Sequence, residues 1–309
     1  MNNRELSEVM TREELIAFSL RSLYKSSGYS MFRMSKFEEY DFYVRNKDFL
    51  LSDNIITFTD TDGRLMAMKP DVTLSIIKSR DMGEDKLTKV YYNENVYRVS
   101  RSTKSYREIM QAGVECIGDV TDSDIADVIA LAAKSLDLIS ENNVLELSNL
   151  NIVSAVLDAY SVSGGAASEI LTYLGEKNYF GVSEVCEREG LSPIACETVG
   201  KLVTLYGAPS KIVDELSAFA VSPEASLECE RLKSILTSLA ELGVSDKVCV
   251  DFSVMNDMKY YNGFAFRGFV DGIPTGILSG GQYDKLVKKM HKASGAIGFA
   301  VYLDELMKL

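Results

Sequence analysis

Residues 89–118 read KVYYNENVYRVSRSTKSYREIMQAGVECIG, and this stretch decides the fold. KVYYNENVYRVS (89–100) and EIMQAGVECIG (108–118) carry aromatic and β-branched residues that suit a pleated, half-buried surface, so both are expected as strands. The polar, basic RSTKSYR (101–107) joins them. Upstream, Pro70-Asp71 opens DVTLSIIKSR (71–80), where Asp71 or Thr73 can cap a helix. Before it, IITFTDTDGR (55–64) and LMAMK (65–69) read as two strands, with Asp62-Gly63 as a hairpin turn. Further upstream, Thr11 and Glu14 form a capping-box pattern, followed by Ile16, Leu20, Leu23 and Tyr24 at helical spacing and by Gly28 as a stop.

Downstream, Thr121 and Asp124 cap the apolar IADVIALAAKSLDLI (125–139), a helix whose composition places it as a buried layer on a sheet. Gly164-Gly165 reads as a break. Residues 166–245 then read as helical and acidic, with 6 basic and 12 acidic residues. From 247 strands return in KVCVDFS (247–253), MKYYNGFAFRGFV (258–270) and GILSGGQYD (276–284), and a closing helix is expected in GFAVYLDELMKL (298–309). One sheet is thus entered twice, an α+β pattern. The expected division is 1–163 for the first part of a core, 164–245 for a helical insertion and 246–309 for the second part.

Composition narrows the function. The chain has 309 residues, 46% hydrophobic and 25% charged, the balance of a globular protein with a large core. No apolar run approaches the ~18 residues of a membrane helix, and the N-terminal MNNRELSEVM lacks a secretory signal, so a cytoplasmic location without membrane attachment is expected. Cys116, Cys186, Cys196, Cys229 and Cys249 are odd in number and widely spaced, which suggests small buried residues rather than a metal or redox site. His291 is the single histidine, so no histidine-rich metal centre is available. The net charge of −12 disfavours a nucleic-acid partner, which would need clustered Lys and Arg to neutralise phosphates.

NDMKYYNGFAF (256–266) sets two tyrosines beside a glycine in a region expected to be a strand. Strand alternation then allows at most one of Tyr260 and Tyr261 to enter a given pocket, and ordinary core packing is the plain reading of the pair.

KPDVT (69–73), VYRVSRSTKSYREIMQAGVECIG (96–118), and SGGQYDKLV (279–287) with AIGFAVYLDEL (296–306) resemble, in this order, the amino-acid-pocket segment, motif 2 and motif 3 of a class II aminoacyl-tRNA synthetase, specifically histidyl-tRNA synthetase. MKYYNGFAF resembles the histidine-specific segment with its two tyrosines. The resemblance runs from about residue 10 to 309 and is loosest across the helical insertion. It implies a class II synthetase-like core, a largely antiparallel sheet flanked by helices. It also implies that Asp71, Thr73 and Gln111 hold the α-ammonium of an amino acid, that Glu115 reads an imidazole, and that Tyr260 and Tyr261 wall it. Gly263, Gly280 and Gly281 would let backbone approach that ligand, or else are turn glycines.

The sequence departs from the synthetase pattern where activation chemistry needs it. Asn256 stands at the position of a catalytic arginine, Glu305 at that of an ATP-binding arginine, and Ser100 at that of an acidic residue of motif 2. Adenylate formation needs cationic stabilisation of developing phosphate charge, and losing such groups costs several kcal/mol. The chain also stops after motif 3, so no anticodon-binding domain is expected. A histidine-binding core without activation or tRNA recognition resembles the regulatory subunits of ATP phosphoribosyltransferase, paralogues of the synthetase that act in histidine biosynthesis. That resemblance implies a homodimer within a larger hetero-oligomer, a short-form catalytic subunit as partner, free histidine as ligand, no catalytic residue, no cofactor, no metal and no tRNA. Arg98, Arg101 and Arg107 remain, with Arg98 expected to meet the ligand carboxylate. Two rivals stand beside this reading. One is a truncated synthetase or amino-acid ligase using Arg98 and a metal, and the other is an RNA-binding module on a degenerate synthetase fold.

Overall fold

The computed structural model describes residues 9–47, 50, 55–80, 86–99, 105–255, 260–290 and 294–308. Ser100, Arg101, Asn256 and His291, each singled out above, lie outside the described residues.

Helix α1 (Arg12–Ser26) leads to strand β1 (Ser30–Met31). Strand β2 (Phe37–Glu39), helix α2 (Tyr40–Arg45), and strands β3 (Thr57–Thr59) and β4 (Leu65–Met68) precede helix α3 (Val72–Ser79). The long strands β5 (Thr88–Val99) and β6 (Tyr106–Gly118) follow, then α4 (Asp122–Asp137) and β7 (Asn143–Asn149). Next come α5 (Leu150–Ala159), α6 (Gly164–Gly175), α7 (Tyr179–Arg188) and α8 (Pro193–Thr204), then β8 (Tyr206–Gly207), α9 (Pro209–Glu215) and α10 (Pro223–Glu241). The chain continues through β9 (Val248–Asp251), β10 (Phe264–Val270), β11 (Leu278–Gln282), α11 (Asp284–Lys289) and β12 (Gly295–Tyr302) to a 3-10 turn at Leu303–Lys308.

Among the described residues nine strands form one sheet in the order β1-β5-β6-β12-β11-β10-β7-β9-β8, and β2-β4-β3 form a second. Among the described residues only the β1–β5 and β7–β9 pairs of the large sheet are parallel, so it is largely antiparallel and flanked by helices. β5 and β6 pair antiparallel from Thr88↔Ile117 to Val99↔Tyr106.

Local signals explain the starts of the elements. Thr11 and Glu14 cap α1 reciprocally at 2.9 and 3.3 Å, and Thr121 with Asp124 does the same for α4 at 3.2 and 3.3 Å. Asp71 is the N-cap of α3 and accepts from the Leu74 amide at 2.9 Å. Gly63, at φ 79°, closes the β3–β4 hairpin by donating to the Asp60 carbonyl at 2.9 Å.

Strand alternation gives the large sheet two different faces. Ala112, Val114 and Cys116 of β6 join Leu20 and Tyr24 of α1 and Ile125, Ile129 and Leu136 of α4 in the main core, where the Tyr24 and Phe299 rings meet at 5.9 Å. Burying each such leucine or isoleucine is worth about 1.5–3 kcal/mol. Helical residues between β7 and β9, such as Ile170, Val199 and Leu232, belong to the same apolar cluster. On the opposite face, Val90 and Tyr92 of β5 pack with Leu74 and Ile77 of α3 and with Tyr260 and Tyr283. That second cluster, at the start of α3, surrounds the candidate site. No helix among the described residues is long and apolar enough to cross a membrane.

Three local expectations are corrected. Tyr260 and Tyr261 precede β10, which begins at Phe264, because Gly263 at φ 76° turns the chain before the ladder starts. The alternation argument therefore does not apply to them. Gly164-Gly165 is no break: the two glycines open α6 behind the Ser163 cap, which accepts from the Ala166 amide at 3.3 Å. The first five residues of the expected closing helix, 298–302, belong to β12, and Leu303–Lys308 form a 3-10 turn; β12 is apolar on both faces, and such a run carries no period that separates strand from helix. Strand β7, whose sequence NVLELSN drew no expectation, pairs with β10 and β9.

Candidate functional site

A cavity of about 40 Å³ over β5, β6, β11 and β12 is lined by all seven residues singled out from the sequence: Asp71, Thr73, Arg98, Gln111, Glu115, Tyr260 and Tyr261. They come from four separate segments. Gln111 and Glu115 project from the same face of β6, four residues apart. Asp71 and Thr73 belong to the cap and first turn of α3. Arg98 lies near the end of β5, and the tyrosines precede β10. The volume holds a few water molecules, so an amino acid enters only if side chains move.

Glu115 is the floor of the cavity and is 2% exposed. Thr73 Oγ1 donates to its Oε1 at 2.5 Å, and the Tyr283 hydroxyl donates to its Oε2 at 2.5 Å. Burial pushes its carboxyl up to about 8; the two hydroxyl donors pull it down, and the neighbouring Asp71 charge adds to the rise. Its room depends on β12. Gly298 is the register partner of Glu115, and a Cβ there would stand 1.8 Å from Glu115 Oε2.

Asp71 divides its carboxylate between two tasks. Oδ1 caps α3, and Oδ2 faces the Arg98 guanidinium at 3.9 Å. Burial pushes the Asp71 carboxyl up, opposed first by the Arg98 charge. Arg98 Nε donates to the Pro70 carbonyl at 2.8 Å, which ties the end of β5 to the start of α3. The Tyr260 ring lies 4.8 Å from Tyr261 and 5.8 Å from Tyr283, forming an aromatic wall. Burial holds all three phenols well above the usual tyrosine range, so they remain hydrogen-bond donors at neutral pH.

Other expected residues stand elsewhere. Gly263, Gly280 and Gly281 do not line the cavity, whereas Gly298 does. Gly280 instead makes room for the core rings, since a Cβ there would come within 2.5 Å of Phe266 and Phe299. Arg107 is exposed on β6 outside the cavity, and Glu305 accepts from Thr275 Oγ1 at 2.9 Å in the final turn. Sequence reasoning missed Tyr92, Ser279, Tyr283 and Tyr302 as lining residues. Tyr283 had a signal, an aromatic just ahead of a helix within SGGQYDKLV.

Fixed acceptors, a buried carboxyl and an aromatic wall suit a small cationic or zwitterionic ligand with a ring that can donate and accept hydrogen bonds. Among the described residues no group of three His, Cys, Asp or Glu side chains could hold a metal ion.

Comparison with known proteins gives the family. The family model described as histidyl-tRNA synthetase matches residues 4–306. The chain is 28% identical over 310 residues to the ATP phosphoribosyltransferase regulatory subunit of Bacillus mycoides, covering 98% of this chain and 73% of that one. The corresponding protein of Acetivibrio thermocellus is 26% identical over 296 residues, covering 93% of this chain and 70% of its own length. A crystal structure of an ATP phosphoribosyltransferase regulatory subunit/histidyl-tRNA synthetase from Bacillus halodurans superposes with a TM-score of 0.85 at 26% identity, covering 96% of this chain and 78% of that one. The chain belongs to the histidyl-tRNA synthetase family, and the curated relatives it resembles there are ATP phosphoribosyltransferase regulatory subunits.

Proposed function

We propose that this protein is a regulatory subunit of ATP phosphoribosyltransferase that binds free histidine and controls a short catalytic subunit without doing chemistry itself. The observation that carries the reading is the convergence of Asp71, Thr73, Arg98, Gln111, Glu115 and the twin tyrosines on one cavity, with a buried carboxyl at its floor. The names of the relatives support the same role. In the proposed complex, Asp71, Thr73 and Gln111 accept from the α-ammonium, and Arg98 turns towards the carboxylate. The imidazole takes over Glu115 from Thr73 and Tyr283, with Tyr260 and Tyr261 alongside. Because Thr73 sits in the first turn of α3, its release from Glu115 would pass occupancy to that helix.

Regulation of this kind requires histidine to favour one arrangement of the complex, with a coupling of about 1–3 kcal/mol. The proposed assembly is a homodimer within a hetero-oligomer, with a core interrupted by a helical insertion over 164–245 and no part for tRNA.

A thermal-shift screen of the twenty amino acids tests the ligand. Histidine at 100 times its dissociation constant stabilises by about 2.7 kcal/mol, and the other amino acids stabilise far less. Absence of any shift with histidine refutes the ligand assignment. Histidine-dependent exchange of pyrophosphate into ATP by the pure chain would instead establish amino-acid activation and overturn the non-catalytic role.

A further inference from the structure

A second cavity, of about 490 Å³, lies over β7, β9 and β10. It shares a sheet face with the first, because Ser279, which lines the first cavity, is the direct register partner of Arg267, which lines the second. Glu146, Lys177, Ser253, Met255, Arg267 and Phe269 are in its wall.

Its charges are unevenly matched. Lys177 Nζ bonds Asp251 Oδ2 at 2.5 Å and lies over the Tyr206 ring, so this pair is satisfied internally. Glu146 stands opposite Arg267 in the β7–β10 ladder, and burial, followed by repulsion from Asp251, pushes its carboxyl up against the pull of Lys177 and Arg267. Arg267 itself has no hydrogen-bond or ion-pair partner among the described residues; its guanidinium lies over the Phe269 ring, 5.1 Å from the centroid. Stacking uses the face of the guanidinium and leaves its in-plane N–H fork available. The side chain also has a space shaped for it, since a Cβ at Gly276 would stand 2.3 Å from Arg267 Nε. A partly buried guanidinium that is stacked, positioned and unpaired gains most from an incoming planar acceptor.

We infer that this second cavity binds a small molecule carrying a phosphate monoester or a carboxylate on a flat apolar body. Arg267 grips the anion through its fork, the Ser253 hydroxyl donates to it, and Phe269 and Met255 border the body. The volume falls within the ~300–1,000 Å³ usual for small-molecule sites.

Calorimetric titration of the intact chain at low salt tests this, with phenyl phosphate and benzoate as probes, benzamide as the uncharged control and Arg98→Met as the control for the first cavity. Wild type is expected to bind at least one of the two anions and to bind benzamide at least about tenfold more weakly. Binding of phenyl phosphate alone assigns a phosphate ligand, and binding of benzoate alone assigns a carboxylate. Arg267→Met is expected to weaken anion binding at least about tenfold, while Arg98→Met leaves it unchanged. Arg267→Lys, which keeps the charge and loses the fork, falls between wild type and Arg267→Met, and it carries the test if the methionine variant unfolds. The inference is overturned if neither anion binds more tightly than about 1 mM, or if Arg98→Met removes the binding and the Arg267 variants do not.

Discussion

Replacing Glu115 by glutamine separates the charge of the cavity floor from its shape. In the folded chain the carboxyl titrates near 8 instead of its ordinary 4.5, chiefly because burial disfavours the ionised form. A raised folded value means that the contribution of this group to stability is complete below pH 4.5, declines as pH rises and is gone above about 8. At 1.36 kcal/mol per pH unit, the interval amounts to about 5 kcal/mol. Glutamine does not ionise, so the variant lacks this slope, while titrating groups remote from Glu115 contribute to both proteins and drop out of the difference. Urea unfolding at pH 5 and pH 9 reads the effect. At pH 5 the two proteins should lie within about 1–2 kcal/mol, the value of the altered hydrogen bonds to Thr73 and Tyr283. At pH 9 the variant should be the more stable by a few kcal/mol, yet give no thermal shift with histidine. Stability curves that run parallel between the two pH values would falsify the claim that Glu115 is held neutral by burial.

Tyr283→Phe removes one donor to Glu115, so the carboxyl should titrate still higher, and the loss of stability, about 1–2 kcal/mol, should be larger at pH 9 than at pH 5 in the same urea experiment. Gly298→Ala forces a methyl group against Glu115 Oε2 and the Val114 carbonyl; calorimetric melting should show a loss of about 1–3 kcal/mol together with a missing histidine response. Thr121→Ala deletes the bond that Thr121 Oγ1 accepts from the Asp124 amide, leaving the bond from the residue-121 backbone amide to Asp124 in place, and should cost about 1 kcal/mol in urea unfolding while leaving ligand-induced shifts intact.

The parts of this protein that could be read in advance are those whose signal is local. Capping pairs three residues apart, a glycine at a hairpin and the aromatic and β-branched composition of β5 and β6 each report on their immediate backbone, and the helices and strands they announce are present. The candidate residues came from motif likeness, and the fold brings them into one cavity. Tyr283 escaped because its partner Glu115 is 168 positions away, a distance at which no spacing rule operates. β12 escaped for a different reason. Its glycines, Ala296 and Phe299 are buried across both faces, so the alternation that marks a half-exposed strand is absent. Tyr260 and Tyr261 were assigned strand geometry when one glycine at positive φ, visible only in three dimensions, frees both of them from it.

β6 presents Glu115 to the cavity and its neighbours Val114 and Cys116 to the main core. One strand therefore serves as a shared wall, and trimming the apolar side loosens the polar side without touching it. Specificity for a ligand can be retuned from behind, through residues that never meet it.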